Sequence, residues 1–202
     1  MQAESDRAGP YVRVDAGLGF LADTAVERTN ALGSTSRGDG AFSPGWLTGA
    51  ALGYRFDDRW SADVEFTYRT NDIDELSASG AGGLAAREGD FASAALMVNG
   101  RYHFESEGAL RPFVGLGLGV IEEIDIDLEL GGAENSYSDS GFGIQAMLGL
   151  DYQFADSWSL SGELRYFRAF DFEGTGEGLS AGGTARADYD HLGLLLGLTY
   201  RF

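Results

Sequence analysis

Apolar side chains recur at every second position through eight stretches of the chain. Even-numbered positions hold Val12, Val14, Ala16, Leu18 and Phe20 in the first, then Trp46, Thr48, Ala50, Leu52, Tyr54 and Phe56 in the second. The same parity runs through 60–68, 92–104, 114–120, 142–154 and 158–166. It ends with Leu192, Leu194, Leu196, Leu198, Tyr200 and Phe202. Neighbouring side chains of a β-strand point to opposite faces, so this period predicts strands that share one continuous apolar face. The tripeptide Tyr-x-Phe closes every other stretch, at Tyr54, Tyr102, Tyr152 and Tyr200, with spacings of 48, 50 and 48 residues. A repeat of that length built from period-two segments is a hairpin used four times. The expected fold is all-β: eight antiparallel strands in up-and-down order.

The opposite face decides what surrounds the sheet. Odd positions carry Arg13, Asp15, Asp63, Glu65, Arg69, Arg101, Glu163 and Arg165, interleaved with Gly17, Gly49, Gly115, Gly117, Gly149 and Gly197. A soluble barrel buries its apolar face and wets the polar one, whereas a transmembrane barrel sets the apolar face against lipid. Tyr54, Phe56, Trp60, Tyr102, Phe104, Tyr152, Phe154, Trp158, Tyr200 and Phe202 gather at one end of the strands, as an interfacial girdle requires. Glycine on the charged face leaves room for arginine and carboxylate side chains within a narrow cylinder. The pattern therefore predicts a transmembrane barrel whose interior is filled by side chains.

Strand length agrees, since ten to twelve residues match the roughly 9–11 needed to cross a bilayer at a tilt. There is no run of about 18 apolar residues for a helical span. Cysteine is absent, which excludes disulfides and thiolate metal sites. Met1-Gln2-Ala3-Glu4 lacks the basic start and apolar core of an export signal, so the expectation is a mature chain behind an added initiator Met. Residues 1–10 read as a tail and 1–202 as a single domain. Turns at Asp57–Asp58, Glu105–Arg111 and Ala155–Asp156 are short, while 22–44, 70–90, 122–139 and 171–190 read as long polar loops. Short periplasmic turns and long extracellular loops are the rule for such barrels, and this places both termini on the periplasmic side.

Arg111-Pro-Phe-Val-Gly-Leu-Gly-Leu-Gly-Val, Asp156-Ser-Trp-Ser-Leu-Ser-Gly-Glu-Leu-Arg-Tyr-Phe and Leu194-Leu-Leu-Gly-Leu-Thr-Tyr-Arg-Phe resemble the eight-stranded OmpA-like barrels of Gram-negative outer membranes. The likeness covers nearly the whole chain and specifies a fold rather than an activity. It implies residence in the outer membrane, and it makes the terminal Phe202 similar to the family's signal for the barrel-assembly machinery. No segment resembles the peptidoglycan-binding domain that follows the barrel in OmpA itself.

Charge directs attention to the loops. Of the net −18, the four long connections carry −16, so the odd-face positions inside the barrel are nearly neutral among themselves. Buried charges persist when partnered, and Glu65, Arg101, Glu163 and Arg165 are expected members of a polar plug. Leu21, Leu47, Phe91, Ile121 and Phe167 face inward near the loop end, either as ordinary filling or as an apolar pocket. The pocket reading resembles the OmpW-type barrels, proposed to pass small hydrophobic molecules. Glu123, Asp125, Asp127 and Glu129 alternate with apolar residues at intervals of about 6.8 Å. They keep the strand parity and so share one face, and oxygen ligands alone suit Ca²⁺ or Mg²⁺. The acidic balance disfavours nucleic acid. His103 and His191 lie at opposite ends of the barrel with no recognisable serine pattern beside them, so no enzymatic role is expected. The expected protein is a monomer with a structural or surface-interaction role through its acidic loops. The alternative is a narrow carrier for small hydrophobic molecules.

Overall fold

The computed structural model describes the backbone at residues 8–21, 24–29, 35–42, 44–79, 89–130, 133–170, 173–176, 184–186 and 189–202. Side chains are described at 8–20, 44–70, 92–121, 141–170 and 190–202. Eight long strands build the barrel: β1 (Gly9–Leu21), β4 (Gly45–Arg55), β5 (Trp60–Ser79), β6 (Gly89–His103), β7 (Leu110–Leu130), β8 (Ala133–Gln153), β9 (Trp158–Phe170) and β12 (Tyr189–Arg201). Each pairs antiparallel with the next in this order, and β1 with β12 closes the circuit. Closure leaves no sheet edge in the hydrocarbon, where every backbone polar group needs an internal partner.

The parity read from the sequence decides the two faces. Outward side chains include Leu196 at 75% exposed, Leu116 at 73% and Leu52 at 69%, whereas Glu65 and Arg69 are at 0%. That inversion marks a wall meant for lipid. Register then solves the problem of volume inside. Asp15 lies opposite both Gly49 and Gly197, Asn99 opposite Gly117, and Glu163 opposite Gly149. A Cβ at Gly49 would stand 2.7 Å from an Asp15 oxygen and 2.9 Å from one of Glu65. A Cβ at Gly117 would collide with Asn99, whereas one at Gly149 would collide with the Phe113 ring and one at Gly197 with Ser161 Oγ, each a side chain across the ladder.

Aromatic rings interlock at the turn end. Trp60 and Tyr102 have centroids 5.0 Å apart, and Trp158 and Tyr200 4.9 Å. Phe202 meets Tyr200 edge to face at 5.0 Å and donates its backbone N–H to Pro10 at 3.1 Å. A second set of exposed rings, Phe20, Trp46, Tyr68, Phe142, Tyr166 and Phe170, stands toward the loop end. Trp60 and Tyr68 are separated by about 27 Å of strand. A tilt of 35–45° reduces this to about 20 Å along the normal, close to the apolar band such barrels present.

Two expectations are corrected. The stretches taken as loops contain strand: β2 (Thr24–Thr29), β3 (Thr35–Phe42), β10 (Glu173–Gly176) and β11 (Thr184–Arg186) lie within them. β5, β7 and β8 also run 20, 21 and 21 residues. Above the rim β3 pairs with β5, β2 with β3 and β11, and β10 with β11 and β8. The wall therefore continues beyond the barrel mouth, because the ladder of an antiparallel strand offers hydrogen bonds that polar loop composition does not remove. The turn expected to end at Arg111 ends earlier, since Leu110 and Arg111 already pair with Tyr152 and Asp151.

Candidate functional site

The lumen is layered. At its centre, three guanidiniums interleave with four carboxylates. Arg165 donates to Glu65 at 2.7 Å through Nη1 and to Glu163 at 2.7 Å through Nε. Arg13 donates to Asp15 at 3.1 Å and Asp63 at 3.2 Å, and it lies 3.5 Å from Glu65. Arg101 pairs with Asp63 and stands 3.4 Å from Glu163. Asn99 Nδ2 bridges Asp63 and Glu65 at 2.7 Å each, and Gln145 donates to Asn99 at 2.6 Å. Glu65, Arg101, Glu163 and Arg165, proposed from sequence as a plug, thus meet in one network. Arg13, Asp15 and Asp63, which parity places on the inner face, complete the network, together with Asn99 and Gln145, which the charge pattern alone does not single out although they share that parity.

Toward the loops lies an apolar layer. Leu47, Ile121 and Phe167 are at most 1% exposed, with Met97 and Leu195 beside them. The Arg69 guanidinium stacks 4.0 Å over the Phe167 ring. Leu47, Ile121 and Phe167 are three of the five inward residues expected near the loop end. The side chains of Leu21 and Phe91 lie outside the described residues.

The acidic row sits in β7, and a bulge between Ile121 and Ile124 falls at its start. Ile121 pairs with Ala95, but Glu123, Asp125 and Asp127 pair with Ala94, Ala92 and Asp90. The strand parity is therefore not kept: the extra residue of a bulge shifts every following position by one. The side chains of Glu123, Asp125, Asp127 and Glu129 lie outside the described residues.

At the turn end the lumen opens into a cavity of about 190 Å³. Arg13, Arg55, Arg101, Arg111 and Arg201 line it, with Asp151, Glu107 and Glu163 as its acids. Arg55 and Arg111 donate to the Asp58 carbonyl at 3.1 and 3.2 Å, and Arg201 to that of Asp156 at 2.6 Å. In the wall of this cavity, Ser61 Oγ lies 3.0 Å from His103 Nε2. His103 Nδ1 lies 3.1 Å from Asp151 Oδ2, off the line of a straight hydrogen bond. Strand register assembles this trio from β5, β6 and β8, and no local sequence pattern announces it.

The sequence matches the family described as outer membrane protein beta-barrel domain over residues 1–202. A comparison with curated protein sequences gave no match. Among solved structures, the chain is similar to the outer membrane protein OprG from Pseudomonas aeruginosa. That match has a TM-score of 0.65 at 14% identity and covers 97% of this chain and 98% of that one. Neisserial surface protein A (NspA) aligns with a TM-score of 0.58 at 17% identity, covering 96% and 97%. A major outer membrane protein from Thermus thermophilus aligns at 0.58 with 15% identity, covering 96% and 99%. At such identities the likeness establishes the fold.

Proposed function

This chain belongs to the outer membrane protein beta-barrel domain family, and we propose that it serves there as a sealed monomeric barrel presenting an acidic surface to the exterior. The observation that carries this reading is the burial of the mid-lumen. A water-filled passage would leave its lining side chains accessible, yet Glu65, Met97 and Leu47 are at 0%, Asn99, Arg165 and Phe167 at 1% and Gln145 at 2%. Eight strands enclose only enough width for side chains to fill, and here the ionic network and the apolar layer above it both fill it. The wall holds lipid through its exposed aliphatic face, and Phe202 serves the assembly machinery.

Above the plug, the four connecting stretches concentrate −16. Such a field draws cationic partners and divalent ions, Ca²⁺ among them, and salt weakens the attraction because exposed charges are screened within about 8 Å at physiological ionic strength. Glu123, Asp125, Asp127 and Glu129 are the densest run of that charge. Carriage of small hydrophobic molecules would require the layer of Leu47, Ile121 and Phe167 to part.

Liposome swelling with polar and apolar solutes tests the reading. Vesicles containing the folded protein should swell no faster than empty ones. Solute entry that rises with protein content would refute the sealed lumen.

A further inference from the structure

We propose that the turn-end cavity is a hydrolytic site in which Ser61 is the nucleophile, His103 the general base and Asp151 the residue that positions the imidazole, acting on small anionic carboxylic esters. Three observations converge on it. The first is the contact chain itself, 3.0 Å from Ser61 Oγ to His103 Nε2 and 3.1 Å from His103 Nδ1 to Asp151 Oδ2. A hydroxyl within hydrogen-bond reach of an imidazole whose other nitrogen faces a carboxylate is the arrangement that activates serine. The misaligned second contact is of the kind that tightens when substrate binds.

The second observation is access. All three residues line the cavity of about 190 Å³, which admits only a small substrate. Asp151 keeps a side-chain exposure of 22% at its mouth, while the His103 side chain is 5% exposed. The imidazole is held rather than free to swing, with the Phe113 ring at 5.7 Å.

The third is the charge around the nucleophile. Arg101 is the direct cross-strand partner of Ser61 and lines the same cavity. Its Nε is buried and has no hydrogen-bond partner among the described residues, so it can donate to an oxyanion forming beside Ser61. Arg55, Arg111 and Arg201 surround the mouth, and their field selects an anionic substrate.

The chemistry balances with water as the only co-reactant. Ser61 Oγ bonds to the ester carbonyl carbon as its proton passes to His103 Nε2. The ester C–O bond breaks, and the leaving alkoxide takes that proton. Water then attacks the acyl carbon, again losing a proton to His103 Nε2, and Ser61 Oγ recovers it as the carboxylic acid leaves. Asp151 holds the Nδ1–H tautomer throughout.

The test uses the full chain folded in detergent micelles, with folding verified by heat-modifiable migration. Mono-p-nitrophenyl succinate should be hydrolysed faster than p-nitrophenyl acetate. Ser61→Ala should return the rate to the micelle background, and His103→Gln should lower it by roughly a hundredfold or more. Asp151→Asn should fold, lower the rate and change its pH profile, which a merely structural role would not do. Phenylmethylsulfonyl fluoride should leave its adduct on the Ser61 peptide of the wild-type protein. That measurement decides the question alone if Ser61→Ala does not fold. Wild-type protein that hydrolyses no faster than the micelles and carries no adduct at Ser61 would overturn the proposal.

Discussion

Arg165→Met removes the best-connected cation of the lumen. Its guanidinium is 2% exposed, and it faces Glu65 and Glu163 carboxylates that are 0% and 6% exposed. Methionine fills much of the volume but leaves Glu65, Glu163 and Asp15 with only Arg13 and Arg101 to compensate them. Breaking a buried pair by deleting one partner costs about 3–5 kcal/mol, because the surviving charge remains out of water. Glu65→Gln in the same chain removes much of that excess, so the double variant should lose about 1–3 kcal/mol less than the sum of the single losses. Urea unfolding from lipid vesicles measures this through Trp46, Trp60 and Trp158, which all stand on the outer wall and leave lipid on unfolding. An Arg165→Met variant within about 0.5 kcal/mol of wild type would refute the reasoning. So would strict additivity of the two substitutions, since it would mean the charges do not share one buried network.

Leu196→Arg, at a wall position 75% exposed, should cost about 2–4 kcal/mol in the same titration. Thr199→Arg, which points into the turn-end cavity, should cost far less; equal losses would invert the inside-outside assignment. Deleting Phe202 should reduce the heat-modifiable barrel recovered from cells, because the closing strand loses its terminal ring and its N–H to Pro10. Wild-type recovery in membranes would count against an assembly role. Asp57 Oδ1 accepts from the backbone N–H groups of Arg59 and Trp60 at 2.7 Å each, and these donors hold its pKa below the ordinary carboxylate value. A depressed folded pKa stabilises above the unfolded value of about 3.9 and loses that contribution as pH falls through the folded one. Stability should therefore decline with acid less steeply in Asp57→Asn than in wild type; identical acid profiles would show that the turn contributes nothing.

The chain's own pattern is enough to state the eight strands of the barrel, their order and the face each side chain takes below the rim. Period-two alternation is a local property, and a closed sheet with a lipid exterior is the arrangement that satisfies it throughout. Parity also placed Glu65, Arg101, Glu163 and Arg165 in the lumen. It does not state height. Which side chains meet across the lumen depends on the stagger adopted when β1 closes on β12, and that is a property of the whole ring. Ser61, His103 and Asp151 come from three strands, the first two 42 positions apart, and only the register of β5 through β8 sets them within reach. The bulge between Ile121 and Ile124 was equally invisible, because it leaves the alternation of the sequence untouched while shifting the pairing of everything beyond it by one residue. Polar composition above the rim read as loop, yet backbone groups pair wherever a neighbouring strand continues the ladder. Local alternation thus assigns the face, and long-range closure assigns the neighbour.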